Sequence, residues 1–251
     1  MRTLAVIPAR LGATRLPRKP MRLLAGLPLI VRVWERVVGM ELFDKVIVAT
    51  DSPEVEAVIV EQSGEVVHTG DHASGTERAA YAAALPAYRG HYDVVVNVQG
   101  DEPFVSRQAL QGATRMISDF GYEIGTAAVL ASPTVLHDPN VVKVVTTARG
   151  QAMYFSRAPI PFLRDASDAE VQRSQIFQHL GIYAYTIASL LNWNNIPDTP
   201  LERVERLEQL RPLAAGIPIG VALIDEPARP GIDTEADLAR ANREWSAFTT
   251  G

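Results

Sequence analysis

Four cations crowd one short stretch near the amino end: Arg10, Arg15, Arg18 and Lys19 lie within Ala5-Val-Ile-Pro-Ala-Arg-Leu-Gly-Ala-Thr-Arg-Leu-Pro-Arg-Lys-Pro20. Like charges so placed repel one another unless an anion sits among them. A polyphosphate suits guanidinium forks and a compact ammonium well. Pro8, Pro17 and Pro20 each fix φ and stiffen the loop. The apolar run before it, Thr3 to Pro8, reads as a buried strand that breaks at Pro8. A first strand feeding such a loop is where open α/β sheets bind nucleotides, beyond the carboxyl ends of their strands. A merely solvated basic loop is the alternative reading. The stretch carries neither the Gly-rich dinucleotide fingerprint nor a Gly-rich loop ending in Lys-Ser or Lys-Thr, so hydride transfer and P-loop hydrolysis both lose support.

Three further groups of residues carry chemistry. In Gln99-Gly-Asp-Glu-Pro103, Asp101 directly follows a strongly β-branched run and is placed to hold Mg2+ against phosphates, which takes one or two protein carboxylates. Asp233, in Pro230-Gly-Ile-Asp-Thr234, is the second such candidate. A turn role for Asp101 and a helix-capping role for Asp233 stay open as alternatives. In Ser74-Gly-Thr-Glu-Arg78, Gly75 allows close backbone approach. Arg78 stands near a helix start, where a cation opposes the macrodipole, so it needs another reason to be there; a pyrimidine carbonyl is one. Last comes a dispersed set, Tyr154, Arg157, His179, Tyr183 and Glu208. Arg157 suits a substrate carboxylate, and His179 reads equally well as a satisfied core histidine.

These residues need elements to position them. At 251 residues the chain is one large domain or a domain with an elaboration. With no cysteine, disulfides, thiolate metal sites and Cys nucleophiles are excluded. The five histidines lack zinc-like spacing, and no Gly-x-Ser-x-Gly elbow appears. A net charge of −5 argues against general nucleic-acid affinity. No apolar stretch suits a membrane span, and a cytoplasmic location is expected.

Strand-like runs alternate with helix-like ones, the pattern of a mostly parallel sheet covered on both faces. Strands are expected at Thr3–Pro8, Lys45–Thr50, Glu65–His68, Asp93–Val98, Ile124–Leu130, Val141–Thr147, Met153–Ser156, Leu180–Tyr185 and Ile217–Ile224. Helices are expected at Pro28–Val38, after Ser52-Pro53, from Ala79 to about Leu85 behind a polar turn, from Ser106 to about Phe120, over Pro200–Ala215, and from Thr234 to about Phe248. Leu201, Val204, Leu207 and Leu210 form an apolar stripe on the Pro200–Ala215 helix. Thr234 and Asp237 come near a capping box. Arg164–Arg173 reads as a mobile loop.

The chain closely resembles the bacterial 3-deoxy-D-manno-octulosonate (Kdo) cytidylyltransferases, or CMP-Kdo synthetases, nearly end to end. The marks are Ile7-Pro-Ala-Arg10, Thr14-Arg-Leu-Pro17, Lys19-Pro20, Ala49-Thr-Asp51, Ser74-Gly-Thr-Glu-Arg78 and Val96-Asn-Val-Gln-Gly-Asp-Glu-Pro103. They continue with Val142-Lys-Val-Val145, Tyr154-Phe-Ser-Arg157, His179-Leu-Gly-Ile-Tyr183, Leu207-Glu-Gln-Leu-Arg211 and Gly231-Ile-Asp-Thr234. The opening motif is shared with other sugar nucleotidyltransferases; the Ser-Gly-Thr-Glu-Arg and Tyr-Phe-Ser-Arg elements point to the Kdo branch.

The resemblance implies transfer of CMP from CTP to Kdo with release of pyrophosphate, in lipopolysaccharide synthesis. It implies an α/β, Rossmann-like nucleotidyltransferase fold, a mostly parallel mixed sheet flanked by helices. A smaller sugar-binding and dimerisation lobe at about 131–216 would be inserted into a nucleotide-binding part at about 1–130 plus 217–251. It further implies a homodimer and Mg2+. By motif position, Pro8, Ala9, Arg10, Arg15, Lys19, Ser74, Gly75, Arg78, Gln99 and Gly100 would meet CTP. Asp101 and Asp233 would hold the metal and, with Lys19, serve the chemistry. Gln99, Tyr154, Arg157, His179, Tyr183 and Glu208 would surround Kdo. One departure is Gln178, where relatives often carry Arg. Another acidic sugar (an 8-amino Kdo analogue or a sialic acid) and a non-catalytic nucleotide-binding regulator are the competing readings.

Overall fold

A computed structural model describes residues 1–12 and 15–249; Thr14 of the opening motif lies outside them. By its internal contacts the chain divides into two compact units, residues 1–107 with 229–251 and residues 108–228. The second unit takes in the stretch expected as an inserted lobe and also the strands Ile124–Leu130 and Ile219–Ile224.

The first unit is built on four parallel strands. Thr3–Ala9 pairs with Lys45–Thr50 on one side and Val94–Asn97 on the other, and Lys45–Thr50 pairs in turn with Glu65–His68. Leu4, Ala5, Val6, Ile7 and Val94 to Val96 are all buried, as strands covered on both faces must be. The first strand runs through Pro8 to Ala9 rather than breaking at Pro8. The carboxyl ends of these strands share one edge, and the chain order reverses between Thr3–Ala9 and Val94–Asn97. That is the switch point where such sheets open a ligand crevice.

The helix Glu235–Thr249 closes this unit. Arg22 forks both carboxylate oxygens of Glu235 at 2.5 and 2.7 Å. Asn242 accepts from the Ala25 N–H and donates to the Leu23 carbonyl. Phe104 packs against Trp245 and edge-on against Phe248, with the Arg32, Arg36 and Arg229 guanidiniums over these rings. The residues Arg15 to Met21, the Asp101 turn and the Asp233 loop thus share one neighbourhood.

The second unit is largely antiparallel. Ile219–Ile224 runs parallel to Ile124–Leu130, which pairs antiparallel with Phe177–Thr186. Lys143–Thr146 joins Phe177–Thr186, and Ala152–Ser156 joins Lys143–Thr146, both antiparallel. The helix Arg107–Ser118 lies close on the sheet at Gly125, where a Cβ would come 2.0 Å from the Ala113 carbonyl oxygen.

Two expectations are corrected here. The helix read over Pro200–Ala215 is two short helices, Pro200–Glu205 and Leu210–Ala214, separated at Arg206, whose φ of 56° is left-handed. Its apolar stripe is split accordingly: Leu207 and Leu210 are buried, while Leu201 and Val204 are exposed. The polar turn read over Asp71–Arg78 is already helical from Gly75. The stretch Arg164–Arg173 contains a short 3-10 turn, Ala166–Asp168, and a one-turn helix, Ala169–Arg173.

Candidate active site

At the switch point of the first unit lies a crevice of about 210 Å3 lined by Pro8, Ala9, Arg10, Lys19, Pro20, Ser74, Gly75, Arg78, Gln99, Gly100 and Asp101. All the residues assigned to CTP from the sequence are among them except Arg15. Close packing shapes its floor. A Cβ on Gly100 would meet the Pro8 carbonyl oxygen at 2.7 Å, so only glycine lets the turn after Val94–Asn97 approach the end of the first strand.

The Lys19 ammonium stands at the centre of the charges. It donates to Asp101 Oδ2 and to Asp233 Oδ1, each at 2.6 Å. Burial alone pulls its pKa down, but the charge and hydrogen bonds of Asp101 and then Asp233 outweigh that and hold it above the ordinary lysine value. Arg15 Nη2 donates to the other oxygen of Asp233 at 3.0 Å. Arg18 turns away to pair with Glu54 and does not join the group. Arg10 is exposed at the crevice wall.

The capping alternative for Asp233 is removed by its neighbours. Thr234 Oγ1 accepts from the Asp237 N–H, and Asp237 Oδ2 accepts from the N–H groups of Asp233 and Thr234. The helix start is therefore satisfied without the Asp233 carboxylate. The Ile232 N–H donates to the Asp101 carbonyl at 2.9 Å, which ties the two aspartate loops together. Glu102, beside them, has its carboxyl pushed up to about 8, by burial first and then by Asp101 and Asp233.

Arg78 has a different reason for its place than a pyrimidine carbonyl alone. Its side chain is almost wholly buried and bonds Thr69 Oγ1, the Gly70 carbonyl and Asp51 Oδ2. It braces the ends of two strands from behind and forms part of the crevice wall. Ser74 caps its helix, accepting from the Glu77 N–H at 3.2 Å.

In the second unit, the remaining sequence-assigned residues sit among neutral hydrogen bonds. His179 Nε2 lies 2.9 Å from Thr126 Oγ1, and that hydroxyl donates to the Ile182 carbonyl at 2.6 Å. The hydroxyl has one proton, so it accepts from His179. This hydrogen-bond pattern assigns the ring proton to Nε2 and leaves Nδ1 as an acceptor. Burial lowers the His179 pKa to about 3, so the ring is neutral at physiological pH. Tyr183 lies next to His179, with ring centroids 5.4 Å apart. Its buried hydroxyl has no hydrogen-bond partner among the described residues, and its pKa is raised by burial, then by Tyr185 and Glu208. His179, Tyr183 and Glu208 are therefore neighbours, as the sequence assignment requires.

Arg157 is fixed by main-chain acceptors. Nε donates to the Glu205 carbonyl at 2.8 Å and Nη1 to the Pro139 carbonyl at 2.9 Å. The Glu205 carboxylate takes Ser156 Oγ at 2.5 Å and the Arg157 N–H at 2.9 Å. Tyr154 is half-buried one strand residue from Phe155, whose ring stands edge-on to His179. Glu205, Thr126 and Lys143 were not singled out for roles from the sequence. Only Lys143 lay in a noted motif; a threonine and a glutamate without spacing gave no signal.

Among the described residues no three His, Cys, Asp or Glu side chains form a ready metal cage. The donor set of Asp101 and Asp233 nonetheless suits Mg2+, a hard cation that needs few protein carboxylates when phosphates complete its shell. Lys19 already shows that one cation can serve both carboxylates at once.

A parallel sheet with a cation-rich crevice and two converging aspartates at its switch point defines an α/β enzyme of the nucleotidyltransferase kind. The comparisons agree. The sequence profile of the cytidylyltransferases matches residues 4–219, and the chain belongs to that family. It is 55% identical to the 3-deoxy-manno-octulosonate cytidylyltransferase of Gemmatimonas aurantiaca, over 99% of this chain and 96% of the relative. It is 44% identical to the enzyme of the same name from Polynucleobacter asymbioticus, over 96% and 94%. A solved CMP:2-keto-3-deoxy-manno-octonic acid synthetase in complex with CTP superposes with a TM-score of 0.89 at 35% identity, covering 98% of this chain and 99% of the other. A 4-diphosphocytidyl-2C-methyl-D-erythritol synthase from Anaerococcus prevotii shares the fold, with a TM-score of 0.64 at 12% identity. No described helix is long and apolar enough to cross a membrane.

Proposed function

We propose that the protein transfers CMP from CTP to Kdo, releasing pyrophosphate, and so supplies an activated sugar acid for lipopolysaccharide synthesis in the cytoplasm. The observation that carries this reading is the convergence of Lys19, Asp101 and Asp233 at the mouth of the switch-point crevice. Full-length likeness to enzymes of that name supports the choice of substrates.

Phosphoryl transfer of this kind is chiefly positioning and electrostatic stabilisation. Arg10, Arg15 and Lys19 hold the triphosphate and balance the charge that grows on departing pyrophosphate. Ser74, Gly75, Gln99 and Gly100 frame the nucleoside against the first strand. Asp101 and Asp233 would hold Mg2+, which when bound supplies Lewis-acid polarisation of phosphate oxygens and acidifies a coordinated hydroxyl. Arg157 meets the sugar carboxylate, and His179 Nδ1 accepts from a sugar hydroxyl. The anomeric oxygen attacks the α-phosphorus in line with the leaving group, so no protein nucleophile is needed.

A homodimer goes with this reading. Phe162 and Val204 of the second unit are 80% and 82% exposed, apolar side chains that a partner copy could cover. Sedimentation of the purified protein measures it; a monomer at micromolar concentration counts against it. The reaction itself is tested by pyrophosphate release over a panel of acidic sugars and the four nucleoside triphosphates, with and without Mg2+. Turnover restricted to CTP, Kdo and a divalent ion is expected. No release with any pair would favour a nucleotide-binding regulator.

A further inference from the structure

Lys143 belongs to a motif, Val142-Lys-Val-Val145, to which no role has yet fallen. Its side chain is fully buried. The ammonium has three donors, and it donates to the Asp138 carbonyl at 2.9 Å, the Val141 carbonyl at 2.7 Å and the Arg157 carbonyl at 2.6 Å. All of these acceptors are neutral, so burial dominates and lowers its pKa. A buried cation with no carboxylate bonded to it costs stability that an apolar side chain would not. The expense is explicable if those carbonyls must be held in one place.

Their placement says which place. Lys143 is the register partner of Ser156 on one side and of Gln178 on the other, and the His179 N–H donates to the Val142 carbonyl. The carbonyls it gathers bracket Pro139, whose own carbonyl receives Arg157 Nη1. One ammonium therefore fixes both the Arg157 main chain and the loop that aims its guanidinium.

We propose that Lys143 is a positioning residue for the sugar-acid substrate, acting through Arg157. The proposal rests on the reading of Arg157 as the group that meets the substrate carboxylate. A guanidinium held in one orientation forgoes less entropy on binding, and its loss reads out as weaker capture of the acid and not of the nucleotide.

The test is steady-state kinetics of wild type, Lys143→Met, Arg157→Ala and the double variant, with melting temperatures recorded beside them. Lys143→Met is expected to raise the KM for Kdo at least about tenfold while the KM for CTP stays within about twofold. In the Arg157→Ala background the same substitution is expected to add less than about twofold, because its route is already gone. Lys143→Gln, which keeps part of the donor set, is expected to show a smaller shift of the same kind. Equal loss of both substrates, an unshifted Kdo KM, full additivity with Arg157→Ala, or failure of both Lys143 variants to fold would each overturn the proposal and leave Lys143 a residue of the fold. A wild type that makes no CMP-Kdo would instead overturn the reaction on which it rests.

Discussion

Lys19 and Lys143 are both largely withdrawn from water, the first with two hydrogen bonds to carboxylates and the second with three to carbonyls, and they answer to opposite surroundings. Lys19 lies between two carboxylates and its pKa is raised; Lys143 lies among carbonyls and its pKa is lowered. The contrast extends to the units that carry them. Around Lys19, functional groups are charged, partly exposed and paired with one another, so an incoming anion or cation exchanges one ionic partner for another. In the unit of Lys143, His179 and Tyr183 are neutral and half-buried, and Arg157 is held by main-chain oxygens. The first arrangement suits a polyanion of high charge. The second suits a substrate told apart by shape and hydrogen bonds, because buried polar groups penalise a ligand that leaves them unpaired.

Charge removal should break the first unit most severely. Asp101→Asn is expected to lower kcat by about 10^3-fold, since a metal ligand loses its charge where transition-state charge is balanced; unchanged turnover at limiting Mg2+ would refute that role. Lys19→Met sharpens the point because it acts in two directions. CTP binding is expected to weaken by about one to two powers of ten. Mn2+ binding to the nucleotide-free protein, followed by electron paramagnetic resonance, is expected to tighten, because Asp101 and Asp233 no longer share an ammonium. A Mn2+ affinity that falls together with that for CTP would contradict this account.

Shape is next in size. Gly100→Ala is expected to cost about 1–3 kcal/mol by overpacking against the Pro8 carbonyl, read as a lower melting temperature. Near neutral pH the smallest effect belongs to the second unit, and it grows only in acid. The folded-state pKa of His179 is depressed to about 3 from 6.5, so as pH falls the unfolded chain takes up the proton first. The stability contributed is present above pH 6.5 and is lost as pH falls toward 3, at up to about 1.4 kcal/mol per unit. His179→Asn should flatten that part of the urea-denaturation profile; an unchanged slope would place the titration elsewhere.

Much of the first unit was legible because its signals are local. The strand, the proline-stiffened loop, the Ser52-Pro53 helix start and the turn at Asp101 each declare themselves within a few residues. The Asp233 question was also answerable in advance: Thr234 and Asp237 complete a cap without it. What escaped was decided at longer range. Arg206 breaks a helix with no glycine to announce it, although Pro212 gave a hint, because proline is at home in a first turn and not in a helix interior. That Arg78 also braces Thr69 and Asp51, besides lining the crevice, is not visible in the sequence. Lys143 was passed over because lysines are read as surface residues, and only three-dimensional packing reveals that its acceptors are main-chain oxygens.

The last helix grips the stretch around Arg22 and Phe104 from behind, and Asp233 enters on the loop that leads into it. Synthesis from the amino end therefore delivers the cationic turn and Asp101 long before their second carboxylate. A chain still on the ribosome lacks half of the counter-charge to Lys19, and the centre is assembled only when the segment from residue 229 onward has emerged.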